Sequence, residues 1–280
     1  MSIVNILSLE SNRQIEINFA RGDLSSDAGL LLIKEFCCKP GFVKLLKSLF
    51  KTNGTALLRH HKDDENLWQV IYQILGAYFE DDCADELIHD PALIVILDKK
   101  SLASQPTLSR FFNRMDEVTL NQFYILMHRF RKIVYAIKRL ALLLLDLDST
   151  LLDIYGQQEG EGSNFHYQSR GYHPLVCYDG MTGDLLKIEQ RNGADYSSTG
   201  VMEFLQPLLD EFLTDYPELL LFLRGDNGFT KPQLYEQCET NGVSYVIRLK
   251  ENSTLRALAS EIEERLTDTT RHDMVSYAVC

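Results

Sequence analysis

Positive charge is scarce along this chain: 28 Lys and Arg face 40 Asp and Glu, a formal charge of −12 over 280 residues. A protein that coats nucleic acid neutralises phosphates with Lys and Arg, so the balance argues against that class and makes any DNA contact local. Long apolar runs are missing too. A run such as Leu140 to Leu145, which no other exceeds, falls far short of the roughly 20 residues of a membrane span. The N-terminus lacks the basic-then-apolar pattern of a secretory signal, so the expected location is the cytoplasm, with no membrane partner. The six cysteines, Cys37, Cys38, Cys83, Cys177, Cys238 and Cys280, show no C-x-x-C spacing, which argues against a zinc ribbon or disulfide framework and for reduced, buried thiols. There is no G-x-x-x-x-G-K-[ST] phosphate loop, no G-x-S-x-G elbow, no H-E-x-x-H zinc motif and no internal repeat.

What is present is enough apolar sequence, 45% of residues, for one large domain or two ordinary ones. Ile3 to Phe19 alternates in places, as a short strand or hairpin arm does. From Asp27 to Leu49 and from Glu65 to Tyr78 the apolar positions recur at helical spacing, and Ser104-Gln105-Pro106 marks a further helix start. Residues 1–138 are therefore expected to be mainly helical. Within them the stretch from Lys99 to Arg139 is locally basic (Lys99, Lys100, Arg110, Arg114, Arg129, Arg131, Lys132, Lys138, Arg139). It is either a solvated helix face or a DNA contact. His60-His61, ahead of the acidic run to Glu65, reads as loop.

Near Leu140 the period changes. Leu142 to Asp148, Phe165 to Tyr178 and Leu185 to Arg191 are expected to be three strands of an antiparallel meander, with turns at Asp179-Gly180 and Thr182-Gly183. A helix capped by Ser197 or Ser198 should run to Tyr216, followed by Leu219 to Arg224, whose apolar run suits a sheet covered on both faces. A helix from Pro232 to Asn241, a strand from Val243 to Leu249 and a helix from Ser253 to Leu266 complete the order. Three strands, helix, strand, helix, strand, helix is the order of an α/β, RNase H-like core, here over residues 139–280.

In that order the first and fourth strands are neighbours, which brings the carboxyl ends carrying Asp148 and Asp226 together. Asp146 and Asp148 share a face because the pleat repeats every two residues. Carboxylates so close to a leucine run call for a metal, a basic partner or a strand-end cleft. Mg²⁺ (or Mn²⁺) suits a site of one or two carboxylates completed by water and phosphate oxygens. Two such ions about 4 Å apart can activate a nucleophile and stabilise a leaving oxygen. Gly225 and Gly228 flank Asp226 and permit a sharp turn after the strand; Ser149, Thr150, His166 and Arg170 are candidates for the same face.

Asp146-Leu-Asp148-Ser-Thr150, Gly156-Gln-Gln-Glu159, Arg224-Gly-Asp226-Asn-Gly-Phe229 and Asn241-Gly-Val-Ser-Tyr245 together resemble the transposases of insertion sequence family 1380, within DDE transposase group 1. So do Leu24-Ser-Ser-Asp27-Ala-Gly29, Gly76-Ala-Tyr78, His89-Asp90-Pro91 and Leu102 to Arg110, so the resemblance covers nearly the whole chain. It implies a bacterial, metal-dependent enzyme that cleaves and joins DNA at terminal inverted repeats of a mobile element. The partners would be double-stranded repeat and target DNA and a second copy in a homodimer, on the nucleoid when acting. Residues 1–138 would help bind the repeats. Carried over, Asp148 and Asp226 match the first two catalytic, metal-binding acids, with Asp146 as a companion. The family's third acid is a glutamate in a Tyr-Arg-Glu-Lys signature after a β-rich insertion, and the chain is expected to stop inside that insertion, near Met274 to Cys280. Tyr245, Arg248 and Glu251 mimic the signature at the wrong spacing, and Glu261 and Glu263 have no motif around them. A DNA-binding regulator without activity, or an RNase H-like nuclease, is the alternative.

Overall fold

A computed structural model describes residues 6–18, 25, 27–54, 56, 58–250 and 252–268, and the chain divides into two units, Met1–Arg139 and Leu140–Cys280. In the first, β1 (Ile6–Ser8) and β2 (Glu16–Asn18) form an antiparallel hairpin. The helices are α1 (Leu30–Cys38), α2 (Phe42–Leu49), α3 (Asp63–Leu75), α4 (Cys83–Glu86), α5 (Pro91–Leu97), α6 (Gln105–Phe112) and α7 (Glu117–Ile137). The expected helical stretch to Leu49 is two helices, because Gly41 at φ +79° turns the chain between them. Asp90 and Asp116 start α5 and α7 by accepting the N–H groups of Leu93 and Thr119 at 2.8 and 2.9 Å, a cap worth about 1 kcal/mol each. Expectations on Ile3, Phe19, Leu24 and Ser26 lie outside the described residues.

The core of this unit gathers Leu46, Phe50, Trp68, Tyr72, Leu93, Ile96 and Phe111. Two polar features are built into it. Gln69, fully buried, satisfies its amide both ways on the Ala103 backbone at 2.7 and 2.8 Å. Asp63 accepts from Thr52 N–H, Thr52 Oγ1, Arg59 and Arg114 at 3.0, 2.8, 2.7 and 3.0 Å. Arg114 and Lys99, counted in the basic stretch, are thus held by internal acids, Lys99 by Glu65 at 3.1 Å.

The second unit runs β3 (Leu142–Ser149), β4 (Leu152–Asp153), β5 (Gly162–Asn164), β6 (Ser169–Tyr172), β7 (Leu175–Asp179), β8 (Leu185–Glu189), α8 (Val201–Asp215), β9 (Leu220–Gly225), α9 (Pro232–Thr240), β10 (Ser244–Ile247) and α10 (Ser253–Asp268). The main sheet has the order β10-β9-β3-β7-β8. β3 is antiparallel to β7 and parallel to β9, β7 is antiparallel to β8, and β9 is parallel to β10. This is the RNase H-like architecture, with the meander and the adjacent first and fourth core strands that the sequence order implies. β3 and β9 alternate in burial: Leu143, Leu145, Leu147, Leu221 and Leu223 are buried, and with Phe204, Leu205, Leu209 and Phe212 of α8 they make the core.

Two expectations need correction. The sheet is not covered on both faces among the described residues: Leu220 and Val246 stand 62% and 69% exposed. Leucines alternate with leucines along these strands, so composition alone could not tell the faces apart. The expected strand from Phe165 to Tyr178 is broken. Phe165 to Gln168 form a turn closed by Gln168 at φ +53°. β6 joins a separate three-stranded sheet of order β4-β6-β5, and Pro174, which has no N–H to give a ladder, stands before β7.

Candidate active site

Asp148 lies on the last full pleat of β3 and Asp226 directly after β9. The parallel register pairs Asp146 with Arg224, and each aspartate follows its partner in that pair by two residues. Both therefore continue one face at one end of two neighbouring strands, which in a sheet lie about 4.8 Å apart. Together they line an open cavity of about 500 Å³ with Ser149, Asn164, His166, Tyr167, His173, Ser197 and Lys250 among its other walls. Each carboxylate is anchored through one oxygen. Asp148 Oδ1 accepts the Ser149 N–H at 2.7 Å, and Asp226 Oδ1 accepts the Gly228 N–H at 2.8 Å as the cap of a short 3₁₀ turn, Asn227–Phe229. Both side chains are exposed, and among the described residues their second oxygens accept no hydrogen bond.

The turn after Asp226 is tightly seated. A Cβ on Gly228 would stand 2.8 Å from Ser197 Cβ and 3.0 Å from Asp226 Oδ1, so only glycine brings this backbone against the Ser197 wall. That wall is held from behind by Arg191. Its guanidinium donates to the carbonyls of His173 (3.0 Å), Tyr196 (3.3 Å), Ser197 (3.1 Å) and Thr199 (2.6 Å). Burial pulls the Arg191 pKa below its usual value, partly offset by Asp195 and Glu189. Lys231 adds a bond to the Ser198 carbonyl at 2.9 Å. The opposite wall hangs on Asn164, a buried side chain that donates to the Gly193 carbonyl at 2.8 Å and accepts the N–H groups of His166 and Tyr167 at 3.0 and 3.2 Å. His173, also buried, bonds the Asp195 carbonyl through Nδ1 at 2.8 Å.

The candidate residues separate. Asp148, Asp226, Ser149 and His166 share the cavity, while Asp146 lies one pleat earlier, in a bidentate ion pair with Arg224. Arg170 is not at this face; it sits on β6 in an ion pair with Glu161, because the break in the expected strand carries it onto the other sheet. Thr150 is exposed. Ser197 and Ser198 do not cap α8, whose N-cap is Gly200 at φ +70°; Ser197 lines the cavity instead. Tyr245 donates to Glu239 and Arg248 lies just past β10, while Glu251 and the side chains of Glu261 and Glu263 lie outside the described residues. Asn164, His173 and Arg191 carried no sequence signal, since each acts on backbone carbonyls or amides, which no residue pattern encodes.

The donor set fits a hard divalent ion: two carboxylates at strand tips, each with one oxygen uncommitted among the described residues, beside an open volume for water and phosphate oxygens. Among the described residues no group of three or more His, Cys, Asp or Glu side chains is placed to hold a metal together. Asp195 lines the same cavity without joining the pair in such a group.

The family model described as Transposase DDE domain group 1 matches residues 7–279. Among solved structures, the chain is similar to the catalytic core domain of BIV integrase (15% identity, TM-score 0.26, 45% of this chain and 66% of that one). It is also similar to the catalytic domain of Mos1 mariner transposase (12% identity, TM-score 0.29, 58% and 77%). The piggyBac transposase, in a synaptic complex with hairpin DNA, matches at 15% identity and TM-score 0.38 over 87% and 54%. The chain thus spans just under two thirds of the BIV integrase chain and about half of the piggyBac one. No curated protein sequence matches it.

Proposed function

The chain belongs to the Transposase DDE domain group 1 family, and from that premise we propose that its Leu140–Cys280 unit cuts and joins DNA strands at Asp148 and Asp226. The observation that carries this reading is the shared cavity: two acids far apart in the chain, at parallel strand tips, with an uncommitted oxygen each. In this reading the element is a bacterial insertion sequence of family 1380, on the strength of the motifs from Asp146 to Thr150 and from Arg224 to Phe229. The substrates are its terminal inverted repeats and target DNA, residues 1–138 contribute to repeat binding, and a homodimer pairs two ends.

Asp148 and Asp226 would hold Mg²⁺ or Mn²⁺. When bound, such ions supply Lewis-acid activation of a water or 3′-hydroxyl and stabilisation of the leaving oxygen. The chain's own part is positioning. Ser149 and Gly228 fix the two carboxylates through their N–H groups, Arg191 and Asn164 hold the two walls, and Lys250 and His166 face the space a phosphate would fill. Fixing the reacting groups in advance is where much of the rate of phosphoryl-type transfer arises.

A second reading, occupancy of the repeats without cutting, is favoured by one observation: among the described residues no third acid is grouped with the pair. Incubating the 280-residue chain with terminal-repeat DNA and Mg²⁺ or Mn²⁺ tests both. The first reading expects metal-dependent cleavage that Asp148→Asn removes, and the second expects repeat binding with no cleavage above that of Asp148→Asn. Cleavage that persists in both Asp148→Asn and Asp226→Asn would overturn the assignment of the acids, and equal affinity for unrelated duplexes would overturn the choice of substrate.

A further inference from the structure

Resting on that reading of the cavity, we propose that its aromatic rim, Phe165, Tyr167 and Tyr196, stacks an unpaired nucleobase of the DNA strand that Asp148 and Asp226 act on. All three rings line the cavity that holds the two aspartates, and all three are open to solvent: Phe165 is 93% exposed, Tyr196 65% and Tyr167 47%. A lone exposed aromatic needs no explanation, but three around one carboxylate-bearing cavity form a local apolar surface in an otherwise polar cleft.

Their backbones are anchored even though the rings are not buried. Phe165 sits in the turn whose next two N–H groups are both taken by the buried Asn164 side chain. The Tyr196 carbonyl is one of those gathered by Arg191, and the Tyr167 ring meets His173 edge to face at 6.0 Å. The fold thus fixes the backbone from which each ring projects; Phe165 and Tyr196 stay largely exposed, and Tyr167 is braced by the His166 and His173 rings. That is the arrangement of a preorganised platform, and nucleic-acid sites use aromatic rings to take base faces irrespective of sequence.

The rest of the lining identifies the ligand class. Lys250 and His166 supply donors for phosphate and the two aspartates a cation site, so the ligand carries phosphate and a flat apolar face together. A base inside an intact duplex keeps both faces against its neighbours, so only an unpaired or extruded one can meet these rings. The platform therefore selects DNA already melted or single-stranded at the point of attack. Stacking of one base corresponds to a preference of about 5- to 150-fold over a fully paired end.

The test uses the full chain with Ca²⁺ to suppress cutting and two probes: a blunt duplex, and the same duplex with a short single-stranded 3′ end carrying 2-aminopurine. Binding is followed by anisotropy and stacking by 2-aminopurine emission. The expected result is quenched emission on binding and tighter binding of the unpaired probe. Quenching and preference should both be lost in Phe165→Ala with Tyr196→Ala and both kept in Tyr196→Phe. Equal affinity for the two probes, or quenching that survives the double alanine variant, would overturn the stacking role while leaving the DNA reading intact. Failure to bind either probe would overturn that reading and the platform with it.

Discussion

Replacing Gly228 by alanine adds one methyl group at the tightest point of the site. That carbon would stand 2.8 Å from Ser197 Cβ and 3.0 Å from both Ser197 Oγ and Asp226 Oδ1, against the 3.5–4.0 Å at which carbon atoms ordinarily rest. Neither neighbour can swing aside cheaply. Ser197 Cβ is set by a backbone whose carbonyl Arg191 holds at 3.1 Å, and Asp226 Oδ1 is fixed by the Gly228 N–H at 2.8 Å. Overpacking of this size costs about 1–3 kcal/mol. In a unit of this length that lowers the melting temperature by roughly 3–10 °C, and it should loosen Mn²⁺ binding at Asp226 as the turn shifts. Ser197→Gly removes the atoms in the way, so the double variant should recover most of both losses. Differential scanning calorimetry and Mn²⁺ titration on the four proteins of this cycle give the coupling directly. A Gly228→Ala protein that melts and binds Mn²⁺ like the parent, or a Ser197→Gly background that rescues nothing, would refute the proposed packing of the turn.

Two further perturbations separate stability from chemistry. Asp148→Ala or Asp226→Ala should each weaken Mn²⁺ affinity by about tenfold or more, since a two-carboxylate site loses half its charge, with little change in far-ultraviolet circular dichroism. An unaltered titration would place the ion elsewhere. Asp63→Asn, in the helical unit, should cost about 2 kcal/mol, below the 3–5 typical of a broken buried pair because Arg59 and Arg114 are themselves 21% and 24% exposed. Burial pushes the Asp63 carboxyl up, but the Thr52 hydrogen bonds and the two arginines outweigh it and hold the pKa below the ordinary value. A depressed folded-state pKa contributes stability that is complete above the unfolded value of about 3.9 and is lost as pH falls through the folded one. The gap between the parent and the Asp63→Asn variant in urea titrations should therefore be constant at neutral pH and narrow below about pH 4. A gap that widened on acidification would show the sign to be wrong.

The order of the core strands was legible because leucine runs and Asp-Gly or Thr-Gly turns punctuate the chain between Leu142 and Arg191, and the meeting of Asp148 and Asp226 at one cavity was expected from that order. What stayed hidden depended on backbone geometry. The turn at Phe165 to Gln168 contains neither Gly nor Pro, so it stayed hidden although Gln168 is left-handed there; only Pro174, further on, marked a break before β7. Ser197 has the residue type of a helix cap, yet Gly200 starts α8 and frees Ser197 for the cavity. The contribution of Arg191 lies in four carbonyls brought close only by the fold. Exposure of Leu220 was equally invisible, because both faces of β9 are written in leucine and phenylalanine up to Arg224.

The clasp between Asp146 and Arg224 has an electrostatic consequence for the strand tips. Without the guanidinium, three carboxylates would follow one another along the same face, and the deepest attractive well for a cation would spread back toward Asp146. Arg224 cancels the innermost charge, so the well narrows onto Asp148 and Asp226, and an incoming phosphate meets a smaller repulsive field. On the proposed reading, a pair one pleat behind Asp148 would set the depth at which a cation comes to rest.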